Sequence, residues 1–250
     1  MNDFIKDLSN GKVIIAGPCT FGNYEEIYKI AKELKEKNIK YMRAGTFKMR
    51  TNPNSFQGLR DMGMEMLLQI REEFGLNIVT ELTTIEQVKK YGNKVDVIQI
   101  GARNMFNYEL LKEAGKTNTP VLLKRSFSAS YEEWLLAAEY IKQEGNNNVV
   151  LCERGIRSNI SNDTRYVLDI EAIPYIQKNT DYKIIIDPSH ASGNRYMVEP
   201  LSKAALVAGA DGLLLEAHYN PEESLCDAAE TIDFDTLDRI LEFNEKIKEL

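Results

Sequence analysis

Short apolar runs recur along the chain. Each ends in polar residues, and the stretch that follows carries its apolar positions at helical spacing. The runs are Val13-Ile14-Ile15-Ala16, Tyr41-Met42-Arg43-Ala44, Ile78-Val79-Thr80-Glu81, Val97-Ile98-Gln99-Ile100, Val121-Leu122-Leu123-Lys124, Val149-Val150-Leu151-Cys152, Ile184-Ile185-Ile186-Asp187 and Leu213-Leu214-Leu215-Glu216. Their first residues lie 28, 37, 19, 24, 28, 35 and 29 positions apart, close to the size of one strand plus one helix. Nearly continuous apolar runs suit parallel strands covered on both faces. Between them, Tyr24 to Lys37 places Ile27, Ile30, Ala31 and Leu34 on one helical face, and Tyr131 to Gln143 does the same with Trp134, Leu135, Ala138 and Ile141 behind a Ser130 N-cap. Asp233 to Glu249 carries Phe234, Leu237, Ile240, Leu241 and Ile247, and Gly75, Gly115, Gly145 and Gly209 read as helix stops.

Eight such units predict an α/β protein folded as a single (β/α)8 TIM barrel. The alternative, an open doubly wound sheet, would carry Gly-x-Gly-x-x-Gly after the first strand, where this chain has Ala16-Gly17-Pro18-Cys19. With no linker and no low-complexity segment, the expectation is one TIM-barrel catalytic domain over residues 1–250. Residues 1–12 then form an N-terminal cap over the barrel bottom, and no regulatory domain is expected.

Composition narrows the class. Of 250 residues, 43% are hydrophobic and 28% charged, which excludes a disordered chain. The net charge of −7 excludes a general nucleic-acid binder, which needs a basic surface. No apolar run approaches the roughly 20 residues of a membrane helix. The first residues lack the pattern of a signal peptide, and three cysteines do not suggest a disulfide framework. The expected setting is cytoplasmic, with no membrane partner, as a homo-oligomer (dimer or tetramer).

In a TIM barrel, chemistry gathers at the C-terminal ends of the strands. Two populations of side chains stand there. Arg43, Lys48, Arg50, Arg103, Lys124, Arg125, Arg154 and Arg157 are cations crowded onto one rim of an acidic protein, and they imply a ligand with several negative charges, such as a phosphorylated metabolite. The bland reading pairs them with Glu81, Glu153 and Asp187. The second population suits a divalent ion of the Fe, Mn, Co or Zn type: Cys19, Asp187, Glu216, Asp227 and the chain's two histidines, His190 and His218. Glu216 and His218 sit at i, i+2 and would point to one side of their strand. The residues alone do not decide between the histidines. They also leave open a metal-free Schiff base on Lys124.

These motifs resemble those of 3-deoxy-D-arabino-heptulosonate 7-phosphate (DAHP) synthases, in a short barrel-only form related to 3-deoxy-D-manno-octulosonate 8-phosphate (KDO 8-phosphate) synthases. The resemblance rests on Ala16-Gly17-Pro18-Cys19, on Arg43-Ala44-Gly45-Thr46-Phe47-Lys48-Met49-Arg50-Thr51 with Ser55-Phe56-Gln57-Gly58, and on Gln99-Ile100-Gly101-Ala102-Arg103-Asn104. It continues through Leu122-Leu123-Lys124-Arg125, Cys152-Glu153-Arg154-Gly155-Ile156-Arg157 and Asp187-Pro188-Ser189-His190. It implies a transferase of the shikimate pathway and aromatic amino acid biosynthesis. Phosphoenolpyruvate would condense with erythrose 4-phosphate and water to give DAHP and phosphate. Cys19, His190, Glu216 and Asp227 would hold one divalent metal ion (Mn, Fe, Co or Zn). Arg43, Lys48, Arg103, Lys124 and Arg154 would bind phosphoenolpyruvate, and Arg50 and Thr51 the aldose phosphate. Lys48, Cys19 and His190 are the implied catalytic residues, with Lys48 moving the proton, and His218 falls outside the metal's own ligands. Met49 stands where the family usually has Pro. The alternatives are a KDO 8-phosphate synthase-like condensation using arabinose 5-phosphate, and a non-catalytic phosphate-ligand sensor.

Overall fold

The computed structural model describes residues 3–49, 52–159 and 163–247. The chain begins with helix α1 (Asp3–Asn10) and continues through β1 (Val13–Gly17), α2 (Tyr24–Glu36), β2 (Tyr41–Arg43), α3 (Arg60–Phe74), β3 (Asn77–Glu81), α4 (Ile85–Tyr91) and β4 (Val97–Ile100). It then runs through α5 (Tyr108–Gly115), β5 (Val121–Lys124), α6 (Tyr131–Gln143), β6 (Val149–Glu153), α7 (Ala172–Asn179), β7 (Lys183–Ile186), α8 (Pro188–Ser192), α9 (Arg195–Val207), β8 (Gly212–Glu216) and α10 (Phe234–Ile247). The eight strands pair in chain order and close as a parallel barrel, with β8 against β1. Every strand overlaps its apolar run to within a residue at either end, because strands buried on both faces need apolar residues at nearly every position.

Alternation along each strand sorts the core into two layers. Val13, Ile15, Tyr41, Val79, Val97, Leu122, Val150, Cys152, Ile185 and Leu214 fill the barrel interior, where Phe4 and Leu8 of α1 join them. The phenyl ring of Phe4 meets Tyr41 edge-on at 4.9 Å. Helix α1 thus packs Phe4 and Leu8 against the N-terminal ends of the strands. Outward residues such as Ile14, Met42, Ile98, Leu123, Leu151, Ile184 and Leu213 pack against the helices.

Helix starts follow the capping rules. Ser130 and Glu133 form a reciprocal capping box at α6, and Asn23, Thr84 and Asn107 cap α2, α4 and α5. Three of the four glycine stops behave as expected, with Gly75, Gly145 and Gly209 at positive φ just past a helix. Gly115 does not: it is the last residue of α5, and a Cβ there would lie 2.4 Å from the Ile141 carbonyl oxygen of α6. Its role is close helix packing. Among the described residues, no helix is long and apolar enough to cross a membrane.

Candidate active site

The alternation that makes the interior apolar at mid-barrel brings polar residues inward at the C-terminal mouth. Arg43, Glu81, Gln99 and Lys124 continue the inward positions of their strands, and Asp187 and Glu216 do the same on β7 and β8. The first four of these, with Lys48, Arg103, Arg154, Arg165, Tyr166, His190 and Asp227, line a cleft of about 490 Å³, and Asp187 and Glu216 are buried behind it, paired with Lys124 and Arg43.

Four donor atoms converge on one side of this cleft. One ligand atom each from Cys19, His190, Glu216 and Asp227 falls within 4.8 Å of the others. Local sequence explains how each arrives. Gly17, at φ 147°, lets the chain after β1 pass so close to β2 that a Cβ would lie 2.1 Å from the Arg43 carbonyl oxygen; Cys19 follows directly. Asp187 caps α8, accepting the His190 amide proton at 3.0 Å, and Pro188 takes the first helical position, where its missing N–H costs nothing. That short helix turns the imidazole back over the mouth. His190 Nδ1 lies 2.7 Å from Asp187 Oδ2, so its Nε2 faces the cluster, 3.1 Å from Glu216 Oε1. Asp227 sits at φ 55° in the loop after β8 and accepts a hydrogen bond from the Cys19 thiol at 3.0 Å.

The electrostatics are strongly coupled. Burial alone would lower the His190 pKa, but the Asp187 and Glu216 carboxylates raise it to about 10. Burial works against the Asp187 carboxylate too, yet His190 and Lys124 hold it well below the usual range. Glu216 is likewise held low despite its burial, by His190 and by Arg43, which donates to its Oε1 at 2.6 Å. Contact with the Cys226 thiol, burial and the Glu216 charge push the Cys19 thiol well up. Burial would lower Lys48, but the Cys19 sulfur and the Glu81 carboxylate outweigh it and raise its pKa. Lys48 Nζ lies 2.9 Å from Cys19 Sγ.

The cations divide. Arg43, Lys48, Arg103, Lys124 and Arg154 all line the cleft. Arg154 is buried with its Nη1 lacking a partner, its guanidinium stacked 4.6 Å from the Tyr166 ring centroid. Arg125 and Arg157 do not face it. Arg125 follows Lys124 and therefore points outward, where it donates to the Ala129 carbonyl, Glu153 and Asp169. Arg157 is exposed over the Phe127 ring. For Arg125 the bland reading of a paired structural charge is the correct one. Lys124 Nζ lies 2.5 Å from buried Asp187 Oδ2. Asp187 is outside the four-atom cluster and serves His190. His218 is also outside it: its ring accepts from the Asn220 amide and faces Glu26, because the strand ends at Glu216 and the i, i+2 geometry stops there. Arg50 and Thr51 lie outside the described residues; Met49 and Asn52 beside them line the cleft, and Asn104 donates to Met49 Sδ at 3.2 Å.

Sequence reasoning missed Arg165 and Tyr166. They belong to the long connection between β6 and α7, which shows no hydrophobic period to place them.

The profile of the DAHP synthetase I family matches residues 5–250. The chain belongs to this family. A phospho-2-dehydro-3-deoxyheptonate aldolase of Thermotoga maritima is 42% identical over 98% of this chain and 74% of its own length. The crystal structure of a phospho-2-dehydro-3-deoxyheptonate aldolase (DAHP synthase) from the same organism superimposes with a TM-score of 0.91, covering 96% of this chain and 69% of that one. A 2-dehydro-3-deoxyphosphooctonate aldolase of Desulfotalea psychrophila is more distant, 30% identical over 92% of this chain and 87% of its own. The chain is thus an enzyme of the DAHP synthase type.

Proposed function

We propose that this enzyme condenses phosphoenolpyruvate with erythrose 4-phosphate and water to give DAHP and phosphate, with one divalent metal ion. The observation that carries this reading is the adjacency of the Cys19, His190, Glu216 and Asp227 cluster to a cleft lined by cations. Of the two substrates, one carries phosphate and carboxylate and the other an aldehyde and phosphate.

The four residues fit a metal. Their donors are a thiol, an imidazole and two carboxylates, a set suited to Mn, Fe, Co or Zn. Glu216 Oε2 is buried without a partner, an expensive state for a carboxylate oxygen unless something positive meets it. Cys19, His190, Glu216 and Asp227 would hold the ion, which when bound supplies a Lewis acid for the aldehyde oxygen.

The chain's own residues do the rest. Arg154, with its unused Nη1, together with Lys124, Arg103 and Arg43, receives the phosphate and carboxylate of phosphoenolpyruvate. Holding both anions fixes C3 against the aldehyde carbon and replaces two mobile reactants with one oriented pair. As C3 attacks, Lys48 Nζ, kept protonated by its surroundings, hands a proton to the oxygen that was the aldehyde. Water adds at C2, where positive charge develops; one of its protons returns to Lys48 and the other leaves with phosphate as the bond from C2 to the phosphate oxygen breaks, giving the C2 ketone. Arg50 and Thr51 would clamp the phosphate of the aldose and so set its length.

A phosphate-release assay with a panel of four- and five-carbon aldose phosphates tests this. Erythrose 4-phosphate should give the highest kcat/KM. A preference for arabinose 5-phosphate would overturn the substrate assignment in favour of the KDO 8-phosphate type. No phosphate release with any aldose would overturn catalysis itself and leave a phosphate-ligand sensor.

A further inference from the structure

Asp227 has two neighbours whose charge works against it: Glu216 across the cluster and Glu230 one turn further along the same loop. Glu230 is almost fully buried. Arg165 Nη1 lies 2.6 Å from Glu230 Oε1, and its Nη2 lies 3.7 Å from Asp227 Oδ1. The other Asp227 oxygen, Oδ2, is the one that meets Cys19.

The loop that carries Arg165 is itself anchored to the helix that carries His190. The Arg165 amide donates to the Ser192 carbonyl at 3.0 Å, and the Tyr166 amide donates to the Ala191 carbonyl at 2.9 Å. Space is reserved for both residues. A Cβ at Gly193, the left-handed cap of α8, would lie 2.9 Å from Arg165 Cβ, and one at Gly155 would lie 2.7 Å from Tyr166 Cβ.

We infer that Arg165 is a positioning residue: by joining Glu230 to Asp227 it turns the Asp227 carboxylate toward Cys19 and so sets the affinity of the four-residue site for its divalent ion. Arg165 is not one of the four donors. It acts by neutralising Glu230 and by fixing one Asp227 oxygen, which leaves the second free to ligate. The inference rests on the metal reading above, and it assigns the β6–α7 connection a role that the donor set alone does not reveal.

The test is a Co²⁺ titration of metal-stripped protein, following thiolate–cobalt absorbance, with thermal melting recorded alongside. Wild type should bind cobalt. Arg165→Ala should bind it about 10- to 100-fold more weakly, at a temperature where circular dichroism shows the metal-free protein still folded. Arg165→Lys, which keeps the charge near Glu230, should recover part of the loss. Unchanged cobalt affinity in Arg165→Ala would overturn the inference. So would an Arg165→Lys variant that binds no better than Arg165→Ala. A wild type that binds no cobalt would instead overturn the metal reading itself.

Discussion

Lys124 and Arg125 are adjacent in sequence, both cationic and both buried, yet they belong to different regions with opposite economies. Outside the barrel, Arg125 is fully used: its guanidinium serves the Ala129 carbonyl, Glu153 and Asp169, and lies 4.6 Å from the Tyr131 ring centroid. Inside, the mouth is left incomplete. Arg154 keeps a buried Nη1 without a partner, Arg43 keeps its Nε, and Glu216 keeps an oxygen. A buried charge with all its partners is part of the structure. A set of buried charges with spare bonding capacity marks a place for a ligand, because that cost is otherwise uncompensated.

Five substitutions break or sharpen this contrast. The largest effect should come from inside: Cys19→Ala or His190→Ala should remove turnover and bound metal together, read by phosphate release and metal content, while circular dichroism stays native. Arg125→Ala should do the reverse. It leaves Glu153 buried and unpaired, so stability in urea should fall by about 3–5 kcal/mol while the folded fraction keeps its kcat. Arg50→Ala, at the residue proposed to clamp the aldose phosphate, should raise the KM for that substrate by the loss of a charged hydrogen bond, about 1.5–3 kcal/mol or on the order of 10- to 100-fold, and leave that for phosphoenolpyruvate less affected.

The smallest effect should come from the closed bottom. Burial opposes ionisation of Asp7, but hydrogen bonds from Lys40 and Tyr41 hold its carboxyl below the ordinary 3.8. A depressed carboxyl stabilises the fold above its unfolded pKa and loses that contribution as pH falls through the folded one. Asp7→Asn should therefore lower the melting temperature slightly at pH 7, and the gap from wild type should close below about pH 3.8.

The barrel was legible because fully buried strands carry little but apolar residues and because the eight runs recur at nearly unit spacing. The cluster was legible from Cys19, Glu216, Asp227 and one of two histidines. The choice of His190 came from the family resemblance, and its physical reason appears only in the fold: α8 hands Nδ1 to Asp187 and leaves Nε2 facing inward. Grouping Arg125 and Arg157 with the inward cations overlooked the period of two, which alone separates Lys124 from Arg125. Arg165 was beyond reach because its connection has no period to place it, and its partners Asp227 and Glu230 lie 62 and 65 residues away.

The central claim is that the spare charges of the mouth and the four converging donors make one metal-dependent condensing site. The most direct measurement is phosphate release from phosphoenolpyruvate and erythrose 4-phosphate by EDTA-treated protein, before and after Mn²⁺, Co²⁺ or Fe²⁺ is restored. The account predicts no release without metal, none with either substrate alone, and recovery on reloading. Full activity in protein shown by elemental analysis to be metal-free would contradict it and return Lys124 to consideration as a Schiff base.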